Sequence, residues 1–208
     1  MLTRIAASAI FACAPAVAPA ACPVAADLTT GGIEVVYEDG ATSLFLSERP
    51  GYVIEEVRFD ESGDGFWTES WLGAYQLAVS DIKGGVRRRD GGSFAEFSVP
   101  LADIPKPAPG LRWDDNYREL DENGAELGKR DIVHFFGGEQ RYSIGECSYP
   151  AMRLGVLTLM PGDNSVGRFV YLRDLGISVV IAEGVQKDDN STELDKYEPV
   201  SIAKARSR

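Results

Sequence analysis

The chain has 208 residues and a formal net charge of −11, with 32 acidic residues against 21 basic ones. An acidic chain repels phosphate backbones and anionic lipid head groups, which argues against nucleic acid as a partner. Hydrophobic residues make up 44% of the chain and charged residues 25%, a composition typical of a globular domain. The length suits one domain with a core large enough to fold without many cross-links.

The first twenty residues have the pattern of a secretory signal. Arg4 precedes a short apolar run, and residues 18–20 supply the small side chains expected before a cleavage site. We therefore predict a signal peptide over residues 1–20, a mature chain that begins at Ala21, and a location in the periplasm of a Gram-negative bacterium or outside the cell. Loss of Arg4 brings the net charge to about −12. A transmembrane helix needs about 20 strongly apolar residues, and no segment is long enough.

Two other processing sites would change the fate of Cys22. Cleavage after Ala26 would remove this cysteine, whereas lipoprotein processing would make it the acylated first residue of the mature chain. Lipoprotein sites usually carry Leu, Val or Ile where this chain has Pro19, so the lipid anchor is the less favoured alternative.

The pattern from residue 32 to about residue 183 is typical of β-structure. Short alternating runs are separated by turn pairs such as Asp39-Gly40 and Asn123-Gly124, and little recurs at helical spacing. We predict an all-β fold in which an antiparallel meander of about ten to twelve strands forms a sandwich or an open or closed barrel, without substantial helix after the signal peptide.

The predicted β domain covers residues 21–185. Three prolines within residues 104–110 remove backbone donors, so we interpret this stretch as a connector between two meander halves of one domain. Residues 186–208 are polar, and we predict a flexible tail there.

The one histidine of the chain limits the possible chemistry. His134 alternates with Ile132 and Phe136 and has apolar neighbours on both sides, which favours a core histidine over a general base. A hydrolytic triad assembled in space stays an alternative, although no Gly-x-Ser-x-Gly motif nominates a serine. We predict no catalytic residue and no cofactor.

Three other groups of residues are candidate sites. The acidic loop with Asp60, Glu61 and Asp64 offers the hard oxygens that calcium prefers, but it lacks the full calcium-loop spacing, so a solvated hairpin tip is the simpler interpretation. The basic run 87–89 is interpreted as a charged strand end, with a docking site for an acidic partner as the alternative. A cluster of aromatic residues either fills a core or lines a groove for an apolar ligand: Phe66, Trp67, Trp71 and Tyr75.

Cys147 lies in the stretch RYSIGECSYP, between two predicted strands. The predicted mature chain has two cysteines, and an even number in an oxidising compartment favours a disulfide between Cys22 and Cys147. A free catalytic thiol would need an activating base, and two cysteines with one histidine make a poor zinc site. We therefore predict a structural disulfide and no metal site.

The segment from Tyr142 to Gly184 resembles the closing segment of exported, β-rich bacterial proteins of unknown function. Some proteins with this pattern resemble the curved-sheet carriers of lipoproteins and other apolar ligands, although the helices that cover one face of those sheets have no counterpart here. The resemblance implies export and a β-rich fold and carries no catalytic residue. It rests on six residues: Gly145, Cys147, Tyr149, Tyr171, Leu175 and Gly176.

These patterns predict an exported, envelope-associated β domain that binds an apolar ligand or an envelope protein rather than catalysing a reaction. One alternative is a periplasmic hydrolase that uses carboxylates or His134. The other is a structural partner in an envelope assembly, which docks through an edge strand or through the basic run 87–89.

Overall fold

The computed structural model describes residues 21–60, 62–159, 164–187 and 191–205, so the predicted signal peptide lies outside the described residues. The described residues form fourteen β-strands, a four-residue α-helix and one turn of 3-10 helix, which confirms the prediction of an all-β chain and exceeds the predicted ten to twelve strands. The elements are α1 Asp27–Thr30, β1 Ile33–Tyr37, β2 Thr42–Leu46, β3 Tyr52–Arg58, β4 Gly65–Trp71, β5 Tyr75–Lys83, β6 Val86–Arg87, β7 Ser93–Phe97, the 3-10 turn Leu101–Asp103, β8 Arg112–Leu120, β9 Glu126–Ile144, β10 Cys147–Leu159, β11 Asn164–Leu172, β12 Ile177–Gln186, β13 Thr192–Lys196 and β14 Pro199–Lys204.

The strands form one antiparallel sheet that follows the chain almost strand by strand. Its order is β13-β12-β11-β10-β9-β8-β7-β5-β4-β3-β2-β1-β14, with the short β6 paired to β5 alone. The predicted meander is therefore confirmed. The last strand, β14, returns to pair with the first, β1, so β13 and β14 form the two edges and the sheet stays open.

The sheet curls so that its two ends pack face to face. In β1, Ile33 and Val35 are completely buried while Glu34 between them is exposed, and in β12, Ile177 and Val179 are completely buried. This alternation gives each end one apolar face, and the two faces form the first core. Its buried members are Leu28, Ile33, Val35, Tyr37, Phe45, Val53, Ile144, Cys147, Tyr149, Ala151, Val170, Leu172, Leu175, Ile177, Val179 and Ile202.

Two further clusters complete the interior. The second core surrounds the completely buried Tyr75 and Phe136 and draws residues from β5 and from β7 to β11. The third cluster is smaller, lies on β3 to β5, and comprises Ile54, Trp67, Ala78 and Ile82. Because Ile54 and Val53 are adjacent on β3, the first core and the third cluster occupy opposite faces of that strand.

Two hairpin turns from distant parts of the chain meet directly. Leu72 and Gly73 have φ angles of 54° and 65°, the positive values that both central residues of a type I′ turn require. The Tyr171 hydroxyl donates a hydrogen bond to the Leu72 carbonyl (3.2 Å), and the Ser178 hydroxyl donates one to the Gly73 carbonyl (2.6 Å). A Cβ atom on Gly73 would lie 2.0 Å from the Gly176 carbonyl oxygen, so only glycine allows this contact.

The disulfide fixes the segment before β1 to the sheet. Cys22 and Cys147 are bonded, with their Cα atoms 5.6 Å apart, which confirms the predicted pairing. The segment over residues 22–31, which we call the N-terminal plug, inserts the buried Leu28 into the first core. The Ser47 amide donates a hydrogen bond to the Leu28 carbonyl (2.9 Å), so the plug also contacts the end of β2.

The prediction of a flexible tail over residues 186–208 is wrong for most of that segment. β12 extends to Gln186, and β13 and β14 lie within the predicted tail. Pro199 and Ile202 of β14 are buried, and Ile202 pairs with Val35 of β1 and joins the first core. Two buried apolar side chains therefore suffice to hold a strand whose other residues are exposed, because β1 offers it an unpaired edge.

The proline-rich segment 104–110 follows the 3-10 turn and precedes β8. Ile104 is buried in the second core, and the Tyr75 hydroxyl donates a hydrogen bond to the Pro105 carbonyl (2.7 Å). The segment therefore packs on the domain interior, and the strands that it connects, β7 and β8, are neighbours in the same sheet.

We expect Gly73→Ala to destabilise the protein strongly. Alanine at a positive φ costs roughly 1–2 kcal/mol, and the clash with Gly176 should add about 1–3 kcal/mol. Gly124 is the matched control, since its φ is +80° and an added Cβ would meet nothing within 4 Å. Urea unfolding should show a clearly larger loss for Gly73→Ala than for Gly124→Ala, and equal losses would contradict the described contact between the turns.

We expect Cys22→Ala to lower the free energy of unfolding by about 2–5 kcal/mol, because the 125-residue loop is no longer closed. Cys22 is exposed, so the substitution removes little packing. The measurement is urea unfolding under non-reducing conditions, with Val24→Ala as the control at another exposed position of the plug. An unchanged unfolding midpoint would show that the bond contributes no stability.

Candidate functional site

Polar side chains interrupt the apolar inner face of β1 to β3. Alternation places Ser43 and Glu55 on the same face as the buried Phe45, which is the cross-strand neighbour of Glu55. The Ser43 hydroxyl donates a hydrogen bond to Oε1 of Glu55 (2.7 Å). Ser43 is completely buried and Phe45 is 2% exposed, yet Glu55 keeps part of its surface accessible. Glu55 is therefore a half-buried acid among buried neighbours on this inner face.

The opposite end of the sheet contributes a second carboxylate. Glu183 of β12 is exposed and pairs with Asp195 of β13, and its negative charge reaches both Glu55 and Tyr37. Tyr197, between β13 and β14, packs edge-on against Tyr37, with ring centroids 6.4 Å apart. Five side chains from separate parts of the chain therefore meet, and we call them the Glu55 site: Tyr37, Ser43, Glu55, Glu183 and Tyr197.

Both carboxylates of the Glu55 site have a raised pKa. Burial raises the pKa of Glu55 to about 7, the charge of Glu183 raises it further, and the hydrogen bond from Ser43 opposes these effects. Glu183 is exposed as a whole residue, yet desolvation of its carboxylate by the surrounding protein also raises its pKa. Among the described residues, neither carboxylate forms a salt bridge with a lysine or arginine. The site therefore collects negative charge without a protein cation to balance it.

The Tyr37 hydroxyl is a buried polar group of the Glu55 site. Tyr37 is 3% exposed, and its hydroxyl has no hydrogen bond of normal geometry with a described group, although Ser43 and the Val180 backbone lie near it. Burial raises the pKa of Tyr37, and the charge of Glu55 raises it further. A buried hydroxyl without a partner costs about 1–3 kcal/mol, which a polar ligand at the site would recover.

His134 is a core residue, as its apolar neighbours predict. It is 1% exposed, and its ring packs against Tyr75 (4.8 Å between centroids) and Trp113 (5.4 Å) in the second core. Burial lowers its pKa to about 4, so the imidazole is neutral at neutral pH. Its Nδ1 has no partner among the described residues, so no carboxylate orients the ring as a hydrolytic triad requires.

The four aromatic candidates do not form one groove. Tyr75 lies completely buried in the second core, whereas Trp67 is buried in the third cluster and donates a hydrogen bond to the Arg88 carbonyl (2.8 Å). Phe66 contacts the exposed Phe59, with ring centroids 5.8 Å apart, and Trp71 packs edge-on against Tyr52, with ring centroids 5.1 Å apart. Trp71 and Tyr75 are cross-strand neighbours that both pack in the second core, whereas Phe66 and Trp67 lie elsewhere, so the four rings do not line a common surface.

The acidic loop forms the tip of the hairpin between β3 and β4. The Asp60 carboxylate accepts a hydrogen bond from the Ser62 amide (2.8 Å), and Asp64 accepts one from the Gly84 amide (2.8 Å). Glu61 lies outside the described residues. No group of three or more His, Cys, Asp or Glu side chains suited to a metal ion occurs in the described part of the chain.

Arg87, the first residue of the basic run 87–89, forms salt bridges within the protein. Arg87 forms salt bridges with Glu56 (2.8 Å) and Glu48 (3.0 Å), and Arg58 binds the same Glu56 (2.9 Å). Glu56 is 7% exposed, and the two arginines together lower its pKa despite its burial. Arg87 therefore serves to neutralise a buried carboxylate on the outer face of β3.

A second candidate is a shallow surface depression of about 550 Å³ beside the N-terminal plug, which is open to solvent. Its lining residues are Leu28, Thr29, Gly31, Leu46, Ser47, Glu48, Arg49 and Pro50. The Glu55 site combines unbalanced charge with a buried hydroxyl that lacks a partner, so we take it as the candidate functional site.

Sequence reasoning missed the Glu55 site, although two local signals pointed to it. Glu55 stands at the alternation position that Val53 and Val57 also occupy, so an acid replaces a core residue. Glu183 follows the apolar run of β12. What no local pattern shows is that the first, third and twelfth strands meet, because this depends on the curl of the whole sheet.

No protein-family model and no curated protein matches the sequence. Among solved structures, the chain is similar to the hypothetical lipoprotein YmcC from Escherichia coli K12, with 10% sequence identity and a TM-score of 0.39. The match covers 82% of this chain and 87% of YmcC. In the described residues, no helix is long and apolar enough to cross a membrane.

We expect Glu55→Gln to change how stability depends on pH. The folded-state pKa of Glu55, about 7, lies above its ordinary value of 4.5, so protonation of Glu55 stabilises the fold. Relative to Glu55→Gln, the wild-type free energy of unfolding should fall by on the order of 2–3 kcal/mol as the pH rises from about 4.5 to about 8. His134, with its lowered pKa, contributes with the opposite sign in both proteins and cancels in the difference.

The measurement is urea unfolding at a series of pH values, with Glu34→Gln as the control. Glu34 is exposed on the outer side of β1, so its substitution should leave the pH profile unchanged. Parallel wild-type and Glu55→Gln profiles would show that the carboxylate is not desolvated in the folded protein.

Proposed function

We propose that this protein is exported to the bacterial envelope and acts there as a binding protein without catalytic activity, with its ligand at the Glu55 site. One observation carries the proposal: the half-buried Glu55 lies near the buried Tyr37 hydroxyl, which forms no hydrogen bond of normal geometry with a described residue. Binding sites typically combine an enclosed surface with a few polar groups whose hydrogen bonds are completed by the ligand. The proposed ligand is polar, unlike the apolar ligand expected from the aromatic residues, because those residues lie apart.

The disulfide between Cys22 and Cys147 supports the export of the protein. Disulfides persist in oxidising compartments such as the periplasm and are rare in the reducing cytosol. A lipid anchor at Cys22 would form a thioether through the same sulfur atom that bonds to Cys147. The disulfide-bonded form and the lipid-anchored form are therefore mutually exclusive.

The pKa values favour binding over catalysis. A pair of catalytic carboxylates usually has environments that push the two pKa values apart, so that one group is protonated and the other ionised. Here burial raises the pKa of both Glu55 and Glu183. His134 lies in the second core among aromatic rings, away from the polar groups of the site.

A hydrolase is the second candidate function. The pKa of Glu55, about 7, suits a group that donates a proton at neutral pH. In that case Glu183 would have to act as the base or nucleophile, a role that its raised pKa opposes.

Native mass spectrometry of the protein purified from the periplasm tests the proposal. The expected species begins at Ala21, lacks an acyl chain, loses two hydrogens relative to the reduced form, and carries a small bound molecule. Glu55→Gln should lose that molecule, whereas Glu34→Gln should keep it. Free thiols at both cysteines would refute the disulfide-based argument for export. A molecule retained by Glu55→Gln, or a covalently altered product of it, would refute binding at this site.

A further inference from the structure

The Glu55 site has the charge balance of a cation-binding site. Its two carboxylates have no basic partner among the described residues, and the net charge of −11 favours the approach of positively charged solutes over anions. The side chains of the site differ in how far they are buried. Glu183 is exposed and stands at the entrance, Glu55 is partly accessible, and the Tyr37 hydroxyl is buried.

We propose that the Glu55 site binds a small organic monocation through a primary ammonium group, an inference that rests on the proposed function. An ammonium group donates three hydrogen bonds and accepts none. The site offers acceptors in Oε2 of Glu55, the carboxylate of Glu183 and the hydroxyl oxygen of Tyr37, none of which accepts a hydrogen bond from a described residue. The rings of Tyr37 and Tyr197 add aromatic surface beside the charge, which further favours a cation.

The hydrogen bond from Ser43 argues against a guanidinium group. A guanidinium typically binds a carboxylate through two parallel hydrogen bonds, one to each oxygen. Oε1 of Glu55 already accepts the Ser43 hydroxyl at 2.7 Å, and Ser43 is completely buried, so it cannot readily move aside. One free oxygen suits the compact ammonium group better.

The available oxygens argue against a divalent metal ion as the ligand. Calcium takes six to eight oxygen ligands, and magnesium requires near-octahedral coordination. The site supplies two carboxylates and three hydroxyl-bearing side chains, and the described residues contain no cluster of three metal-ligating side chains. A ligand that carries its own phosphate or carboxylate next to the ammonium would place that anion beside Glu183 at the entrance, so zwitterions should be rejected.

Binding of an ammonium group requires ionised Glu55, which makes affinity depend on pH. The titratable groups that face Glu55 are Tyr37 from β1, Glu183 from β12 and Tyr197 from the segment before β14, and the charges of Asp39 and Asp195 reach Tyr197. The tyrosines stay neutral across the relevant range because their pKa values are raised. Glu55, with a pKa of about 7, is therefore the group whose ionisation should switch binding on as the pH rises.

Titration of the oxidised protein with ethylammonium chloride, followed by NMR chemical shifts, tests the proposal at about pH 8 and about pH 5.5. We expect saturable shifts around Tyr37 at the higher pH and affinity at least about tenfold weaker at the lower pH. Glu55→Gln should weaken binding at pH 8 by about tenfold or more, Tyr37→Phe by several-fold, and Glu34→Gln should have no effect. Far-ultraviolet circular dichroism checks that each variant is folded.

Two further ligands test whether the site prefers a simple ammonium group. Phosphorylethanolamine and methylguanidinium should both bind at least about tenfold more weakly than ethylammonium. Equal binding of either compound, unsaturable shifts with ethylammonium, or an unchanged affinity in Glu55→Gln would overturn the ammonium assignment. If a co-purified molecule depends on Glu55 but ethylammonium does not bind, the proposed function stands and only this inference fails.

Discussion

The structure depends on the contact between the inner face of β1 to β3 and the inner face of β10 to β12. These strands lie near opposite ends of one long antiparallel meander, so the contact forms only when the whole sheet curls. Val35, Phe45, Ile177 and Val179 are buried where the faces meet. Without this contact the meander would leave one face of each end exposed to water, and burial of apolar area is the main term that favours folding.

That same contact explains why the Glu55 carboxylate is unusual. A carboxylate moved from water to a buried face loses hydration, and the fold can offset the loss through a salt bridge, a hydrogen bond or protonation. Glu56 is the next residue and lies on the other face of β3, where salt bridges with Arg58 and Arg87 offset the loss of hydration of its carboxylate. Glu55 has only the hydroxyl of Ser43 and a raised pKa. Two adjacent acids on one strand are thus accommodated differently, Glu56 by salt bridges and Glu55 by a hydrogen bond and a raised pKa.

The parts of the structure that sequence predicts are those that depend on local chemistry. Alternation and turn pairs indicated an antiparallel meander of many short strands, and two cysteines in a chain predicted to be exported led to the disulfide. The pairing of β14 with β1 was missed because it joins the ends of the chain and rests on two apolar residues, Pro199 and Ile202. The Glu55 site was missed for the same reason, since Tyr37 and Glu183 come together only through the curl of the sheet.

The arrangement of β1 links the plug to the candidate site. The plug joins the start of β1, where the Ala205 amide donates a hydrogen bond to the Gly32 carbonyl (2.9 Å), while Tyr37 ends the strand in the Glu55 site. Five extended residues span roughly 15 Å, so the disulfide-bonded plug covers one end of the first core and the exposed Glu183 marks the other. The disulfide therefore stabilises the face that holds the candidate site through the packing of the first core rather than by direct contact with the site.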